Sequence, residues 1–288
     1  IIDISLEGKM LMSAFAAAAV ATLTSSALAG LVTAIGVSVL LGLLHGLASI
    51  TLRGNQVISG LAINILASGL TVTIGIAMFK QGGQTPNLSR AERFRPIELP
   101  FAEQIGNLPL IGPIYREVIS GHNILVWVAL AAVLFTAFIL TRTRFGLRLR
   151  AVGEKPEALD SAGVSVAKTR YLALIVAGVL CGMAGAYLST AHGSGFVREM
   201  TAGKGYIALA AMIFGKWQPR GALLACLLFG FLEAVASRLQ GVDVPLIGEA
   251  PVDLILALPY LLTVILLAGF VGKAMPPRAI GEPYVKER

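Results

Sequence analysis

Residues 10–50 form an almost uninterrupted apolar run of about forty residues, roughly twice what one helical crossing of a ~30 Å hydrocarbon core requires at ~1.5 Å per residue. No water-soluble core accommodates such a run, and Ser25, Ser26 and Gly30 mark a turn inside it. The run therefore predicts a tight helical hairpin within a bilayer. Its second arm places Gly30, Ala34, Ser38, Gly42 and Gly46 at strict four-residue spacing, a flat stripe suited to close helix contact. His45 lies near the end of that arm, where a lone histidine packs more often than it ligates. The rest of the chain keeps the same character: 56% of its residues are hydrophobic and only 14% charged. The net charge of +7 is gathered at segment ends and in one loop, the distribution of a membrane protein rather than of a nucleic-acid binder.

Further spans are expected over 57–79, 124–140, 171–188, 222–237 and 252–272. In the span over 57–79, Gly60, Asn64, Ser68, Thr71 and Gly75 share one helical face, which either packs on a neighbour or lines a hydrated path. Asn64 is the better pathway candidate, because a buried amide must find partners. Gly178, Gly182 and Ala186 make a second small-residue ladder, which Leu174 ends. The apolar run 206–214 is too short to cross at ~1.5 Å per residue. Either its helix starts near Thr201 and Lys204 snorkels, or it is a broken half-helix whose irregular end faces a protein or water cavity. Glu233 falls ~16 Å along its helix, within the membrane, and needs a partner: a hydroxyl or amide of the 57–79 span, or Arg238. The expected fold is all-α, a polytopic transmembrane helical bundle of about eight spans with one candidate broken helix.

The polar run 141–170 fixes the orientation. It carries seven basic residues (Arg142, Arg144, Arg148, Arg150, Lys155, Lys168, Arg170) against three acidic ones (Glu154, Glu157, Asp160), and short basic loops stay in the cytoplasm. Parity then makes 80–123, 189–204 and 240–251 external and puts both ends of the sequence in the cytoplasm, in agreement with Lys273, Arg278, Lys286 and Arg288 in the tail. Inside the basic loop, Pro156 at a first helical position, Glu157 in the first turn and Gly163 as a left-handed stop predict a helix over 156–162. So short a helix needs something to dock against; a plain solvated connector is the competing reading.

The stretch Arg150-Ala151-Val152-Gly153-Glu154-Lys155-Pro156-Glu157-Ala158, followed by Ser161-Ala162-Gly163-Val164, resembles the cytoplasmic loop of permease subunits in bacterial ABC importers of the branched-chain amino acid and simple-sugar type. Asn55-Gln56-Val57-Ile58-Ser59-Gly60-Leu61-Ala62, Thr201-Ala202-Gly203-Lys204-Gly205-Tyr206-Ile207-Ala208-Leu209-Ala210-Ala211 and Ile213-Phe214-Gly215-Lys216-Trp217 are similar to the simple-sugar and nucleoside branch. Residues 4–10 resemble a family motif that follows at least one earlier membrane helix, which predicts that N-terminal residues precede this sequence.

The resemblance implies a coupling helix that meets a separate ATP-binding subunit through Arg150, Gly153, Glu154, Pro156, Glu157, Ala158 and Gly163. It also implies a second permease subunit, an external substrate-binding protein and residence in a bacterial inner membrane. The candidate substrate pathway comprises Asn55, Gln56, Asn64, Thr71 and Glu233, of which Asn55 and Gln56 match a family motif. These groups suit a hydroxylated uncharged ligand, a nucleoside or a simple sugar. No phosphate-binding Gly-x-x-x-x-Gly-Lys-Ser/Thr stretch, metal-ligand spacing or nucleophile set is present, so no cofactor, metal or catalytic activity is expected of this chain. A proton-coupled secondary transporter working through Glu233 is the alternative.

Overall fold

The computed structural model describes residues 1–98, 115, 120–239, 243–244, 248–249, 257, 261 and 275–286. Six helices there are long and apolar enough to cross a membrane. They are α1 (Leu6–Thr24), α2 (Ala27–Gly46, prolonged by a π-helical turn, Leu47–Thr51), α3 (Gln56–Phe79), α4 (Ile124–Arg142), α7 (Val166–Ala186, prolonged by a second π-helical turn, Tyr187–His192) and α9 (Pro219–Leu239). Three shorter α-helices also lie among the described residues: α5 (Arg144–Glu154), α6 (Pro156–Ser161) and α8 (Lys204–Phe214). Among the described residues, β structure amounts to two short antiparallel pairs, Pro96–Ile97 with His122–Asn123 and Asp243–Val244 with Gly248–Glu249. The chain is an all-α, multi-pass bundle. The span expected over 252–272 and most of the loops expected over 80–123 and 240–251 lie outside the described residues.

Helix α1 is the axis of the bundle. Ala14, Ala17, Ala18 and Ala21 are fully buried, because α2, α3 and α7 all pack around it. Ser25 turns the chain in a left-handed conformation (φ 53°), and the Ser26 side chain accepts the Ala29 N–H to start α2. Gly30, Ala34, Ser38, Gly42 and Gly46 are all buried, as their spacing predicts. The close approach is concrete: a Cβ on Gly30 would lie 2.5 Å from the Ala17 carbonyl oxygen, and one on Gly182 would lie 2.6 Å from the Ile35 Cα. The α2 ladder thus lies against α1 at Gly30 and against α7 at Gly42 and Gly46, while the α7 ladder lies against α2 at Ile35 and Val39, with dispersion contacts between backbones replacing the hydrophobic drive that lipid cannot supply.

The basic loop is more ordered than its sequence suggests. One helix is expected there and two form, because Thr143 caps α5 by accepting the Gly146 N–H (3.1 Å) and Val152 gives α5 a buried side. Helix α6 begins at Pro156 as expected and ends at Ser161, one residue early, with Gly163 left-handed (φ 78°) behind it. Pro156 and Leu159 are buried, and Leu159 packs with Val152 and Val166.

The helix ends alternate between the two ends of the bundle. At one, Thr51 Oγ1 meets the Tyr171 hydroxyl (2.6 Å) and the His45 ring bridges Ser59 and the Ile2 carbonyl (3.1 Å each). At the other, Thr85 N–H donates to Phe196 O (3.1 Å) and Leu88 N–H to Ser194 O (2.8 Å). His45 is fully buried and acts as a helix clip.

Candidate functional site

The most unusual part of the backbone lies between α7 and α8. After the π-helical turn at Tyr187–His192 the chain runs irregularly back along α1. Phe196 packs edge-on against Phe15 (5.2 Å between centroids), and by Lys204 the chain has reached the level of Glu7. Eight residues of α1 separate those levels, ~12 Å of helix, so α8 begins inside the bundle. The sequence left open a helix starting near Thr201 or a broken half-helix. The second arrangement forms: α8 starts at Lys204, preceded by left-handed Gly203 (φ 81°), and is 11 residues long.

Glu7 holds that internal helix start. Its Oε1 accepts the Gly203 N–H (2.9 Å) and its Oε2 the Gly205 N–H (2.7 Å), satisfying donors that the first turn cannot pair and meeting the positive end of the helix dipole. Gly205 is required by proximity, since a Cβ there would sit 2.5 Å from the Glu7 nitrogen. Beside it, Asn64 Oδ1 accepts the Gly8 N–H (2.8 Å), while its Nδ2 donates to Ile4 O (3.1 Å) and the Tyr206 hydroxyl (2.9 Å). One amide therefore joins α1, α3 and α8.

Lys204 forms an ion pair with Glu233 of α9. The expected partners of Glu233 were a polar group of α3 or Arg238, and neither is used. Helices α8 and α9 form a hairpin, so the first residue of α8 lies beside the distal half of α9, which puts Lys204 within reach. Further along, Ser68 of α3 donates to the Glu199 carboxylate. Lys204 and Glu233 are 31% and 57% exposed on this chain. With Tyr206, Ser68 and Glu199 they make a polar ribbon along residues 199–206, which bonds to α3 through Asn64 and Ser68 and to α9 through Glu233.

The other candidate pathway residues are placed differently. Thr71 is buried and donates to Ser68 O (3.0 Å). Gln56 is buried at the bundle end and accepts the Ile2 N–H (2.6 Å). Asn55 caps α3, accepting the Val57 and Ile58 N–H groups (2.9 and 3.1 Å), and lines a cleft of 540 Å³ with Leu44, Ala48 and Ser59. The structure thus joins Asn64 and Glu233 to the α8 site and leaves Asn55 and Gln56 at the end of α3.

In the basic loop, Arg150, Glu154, Glu157, Ala158 and Gly163 are exposed, while Pro156 is buried and Gly153 half-buried. Helix α6 therefore presents one face outward and seats the other.

Sequence reasoning does not single out Glu7 or Tyr206, and treats Lys204 only as a snorkelling residue. Nor does it notice Lys9, which is fully buried and paired with Asp3. Burial works to raise the Asp3 carboxyl, but the Lys9 ammonium and hydrogen bonds from Lys9 and Ser5 outweigh it and hold that carboxyl below its ordinary range. Two charged residues two positions apart at the start of an otherwise apolar helix were the available signal for both Glu7 and Lys9.

A family model described as "Branched-chain amino acid transport system / permease component" matches residues 1–267. The chain is 36% identical to the guanosine ABC transporter permease protein NupQ of Bacillus subtilis, across 99% of this chain and 88% of that protein. It is likewise 36% identical to the nucleoside ABC transporter permease protein NupC of Lactococcus lactis, across 100% and 89%. It is 34% identical to the putative glucose ABC transporter permease protein TsgC13 of Haloferax volcanii, across 87% and 73%. No solved structure matches.

Proposed function

Since this chain belongs to the branched-chain amino acid transport system permease component family, we propose that it is the membrane-spanning subunit of an ATP-driven importer of nucleosides. The observation that carries the substrate class is the near full-length similarity, at 36% identity, to two permeases named for guanosine and nucleosides. A glucose permease shares less of its length, which ranks simple sugars second.

In this reading a second permease subunit covers the side that carries the polar ribbon, and the substrate passes between the two. An ion pair exposed to lipid at that depth would cost several kcal/mol, so Lys204 and Glu233 call for protein or water over them. The ribbon offers both acceptors (Glu233, Glu199) and donors (Lys204, Ser68, Tyr206), matching the hydroxyls and ring nitrogens of an uncharged nucleoside. Asn64 and Thr71 support the ribbon from behind. Asn55 and Gln56 stand at the inner mouth.

Residues 141–170 lie in the cytoplasm, both ends of the given sequence lie there too, and the membrane is the bacterial inner membrane. Helix α6 is the coupling element: Arg150, Gly153, Glu154, Pro156, Glu157, Ala158 and Gly163 meet an ATP-binding subunit, while an external binding protein delivers substrate to the opposite face. Closure of the ATP-binding pair displaces α6 and tilts α4 and α7, exchanging access between the two sides.

The test is uptake of radiolabelled guanosine into proteoliposomes holding the assembled complex. Uptake against a gradient that requires ATP and the binding protein supports the proposal. Uptake that continues without ATP and stops with a protonophore overturns it in favour of proton coupling.

A further inference from the structure

The tail after the last expected span returns to the basic loop and crosses it. Ala279 N–H donates to the Gly153 carbonyl (2.9 Å), and the Pro277 ring lies against Gly153, 3.2 Å from where a Cβ would stand. Two residues on, Gly281 turns with φ 79° beside Ile2. The Glu282 carbonyl accepts from Arg170 Nη1 (3.1 Å), the Tyr284 ring packs on the cluster of Val152, Leu159 and Val166, and Lys286 pairs with Asp160 at 3.4 Å. One short stretch therefore touches α5, α6, α7 and the segment leading into α1.

That arrangement answers a mechanical problem. Helix α6 has 6 residues, too few to hold itself, and only Pro156 and Leu159 of it are buried. A push on its outer face would bend the loop unless something fixes α6 to α7. Tyr284 packs against the cluster in which Leu159 of α6 meets Val166 of α7. Arg170 and Glu282 pin the same stretch to α7 within its second turn. The Lys286–Asp160 pair is solvated and adds little.

We propose that residues 275–286 are a brace that makes the α5–α6 hairpin a stiff lever, with Tyr284 as the principal positioning residue. This rests on α6 being the coupling element. Residues of the brace need not touch the ATP-binding subunit. They act by holding α6 against α7, so that displacement of α6 reaches the membrane helices instead of being absorbed at 162–165.

The test uses the reconstituted complex with its ATP-binding subunits and binding protein, and reads substrate molecules transported per ATP hydrolysed. Three forms of the chain are compared: the parent, Tyr284→Ala, and Tyr284→Leu, which keeps apolar volume. A chain ending at Met275 serves as a fourth where it inserts stably. The expected result for Tyr284→Ala is intact assembly and continued hydrolysis, with transport per ATP down by about threefold or more, and substantial recovery in Tyr284→Leu. An unchanged ratio in Tyr284→Ala overturns the brace. Cross-linking from Ala158→Cys to the ATP-binding subunit is read in parallel in the parent background. No cross-link there defeats the coupling role of α6 itself, a result distinct from an unchanged ratio with the cross-link present.

Discussion

Lys204 and Glu233 are joined across the α8–α9 hairpin, the first residue of a half-helix to the distal half of a spanning helix. Neither charge is fully buried by this chain, yet Glu233 lies within a spanning helix and Lys204 at the internal start of the half-helix packed against it. Removing one partner leaves the other unpaired in that setting, which costs more than removing both. Glu233→Gln and Lys204→Met, each alone, are expected to lower initial guanosine uptake by about tenfold at equal abundance, and Lys204→Met with Glu233→Gln to retain more than either. Additive losses in the double variant would show that the two side chains act separately.

Glu7 should matter to the fold as much as to transport. Its carboxylate is the only cap found for the internal start of α8 among the described residues, and Glu7→Ala leaves the Gly203 and Gly205 N–H groups without that acceptor. A loss of about 1–2 kcal/mol is expected, in line with N-cap deletions. Thermal unfolding of the purified chain in detergent reads it. Glu7→Gln, which keeps one acceptor oxygen, should fall between Ala and the parent.

How much of this was legible beforehand varies with the kind of signal. Periodicity displayed the α2 and α7 seams outright, because Gly30 to Gly46 and Gly178 to Ala186 repeat every four residues and lipid leaves few other uses for such stripes. Pro156 and Gly163 bracketed α6 for local reasons alone. The Lys204–Glu233 and Glu7–Gly205 contacts were not legible. They depend on where an irregular return along α1 stops, and no local rule encodes that depth. Asn64 was visible as a polar residue that needed partners, but its bonds to Gly8, Ile4 and Tyr206 come from three separate segments.

The packed and open glycines supply an internal control. Gly182→Ala would push a Cβ to 2.6 Å from the Ile35 Cα, backbone against backbone, where little can yield. Overpacking of about 1–3 kcal/mol is expected, seen as a lower melting temperature. Gly69→Ala meets nothing within 4 Å and should be neutral or slightly stabilising, through helix propensity. Equal effects from the two substitutions would contradict the α2–α7 seam.

Asp3 gives the acid limb of stability a definite sign. Its carboxyl is held below the ordinary value by Lys9, so the folded state binds its proton more weakly than the unfolded chain does. The stabilisation is complete above the ordinary carboxylate value and disappears as pH falls through the depressed one. Asp3→Asn should be less stable than the parent at neutral pH, because Lys9 stays buried without its partner, and the gap should close in acid. A gap independent of pH would remove Asp3 from the account.

Gly163 and Glu157 test the lever directly. Gly163 is left-handed, with open space where a Cβ would be, so Gly163→Val introduces backbone strain of about 1–2 kcal/mol without a steric clash. That strain favours a different exit from α6 and should misalign its outer face while the spans stay folded. Glu157→Lys keeps the backbone but reverses a charge on that outer face, at the positive end of the helix dipole. Both variants are expected to insert normally, to keep much of their ATP hydrolysis and to lose about tenfold in uptake per ATP. The loss in Gly163→Val should come with weaker cross-linking of α6 to the ATP-binding subunit. Wild-type uptake per ATP in both variants would make the loop a passive connector and would move the search for the coupling surface elsewhere on the cytoplasmic face.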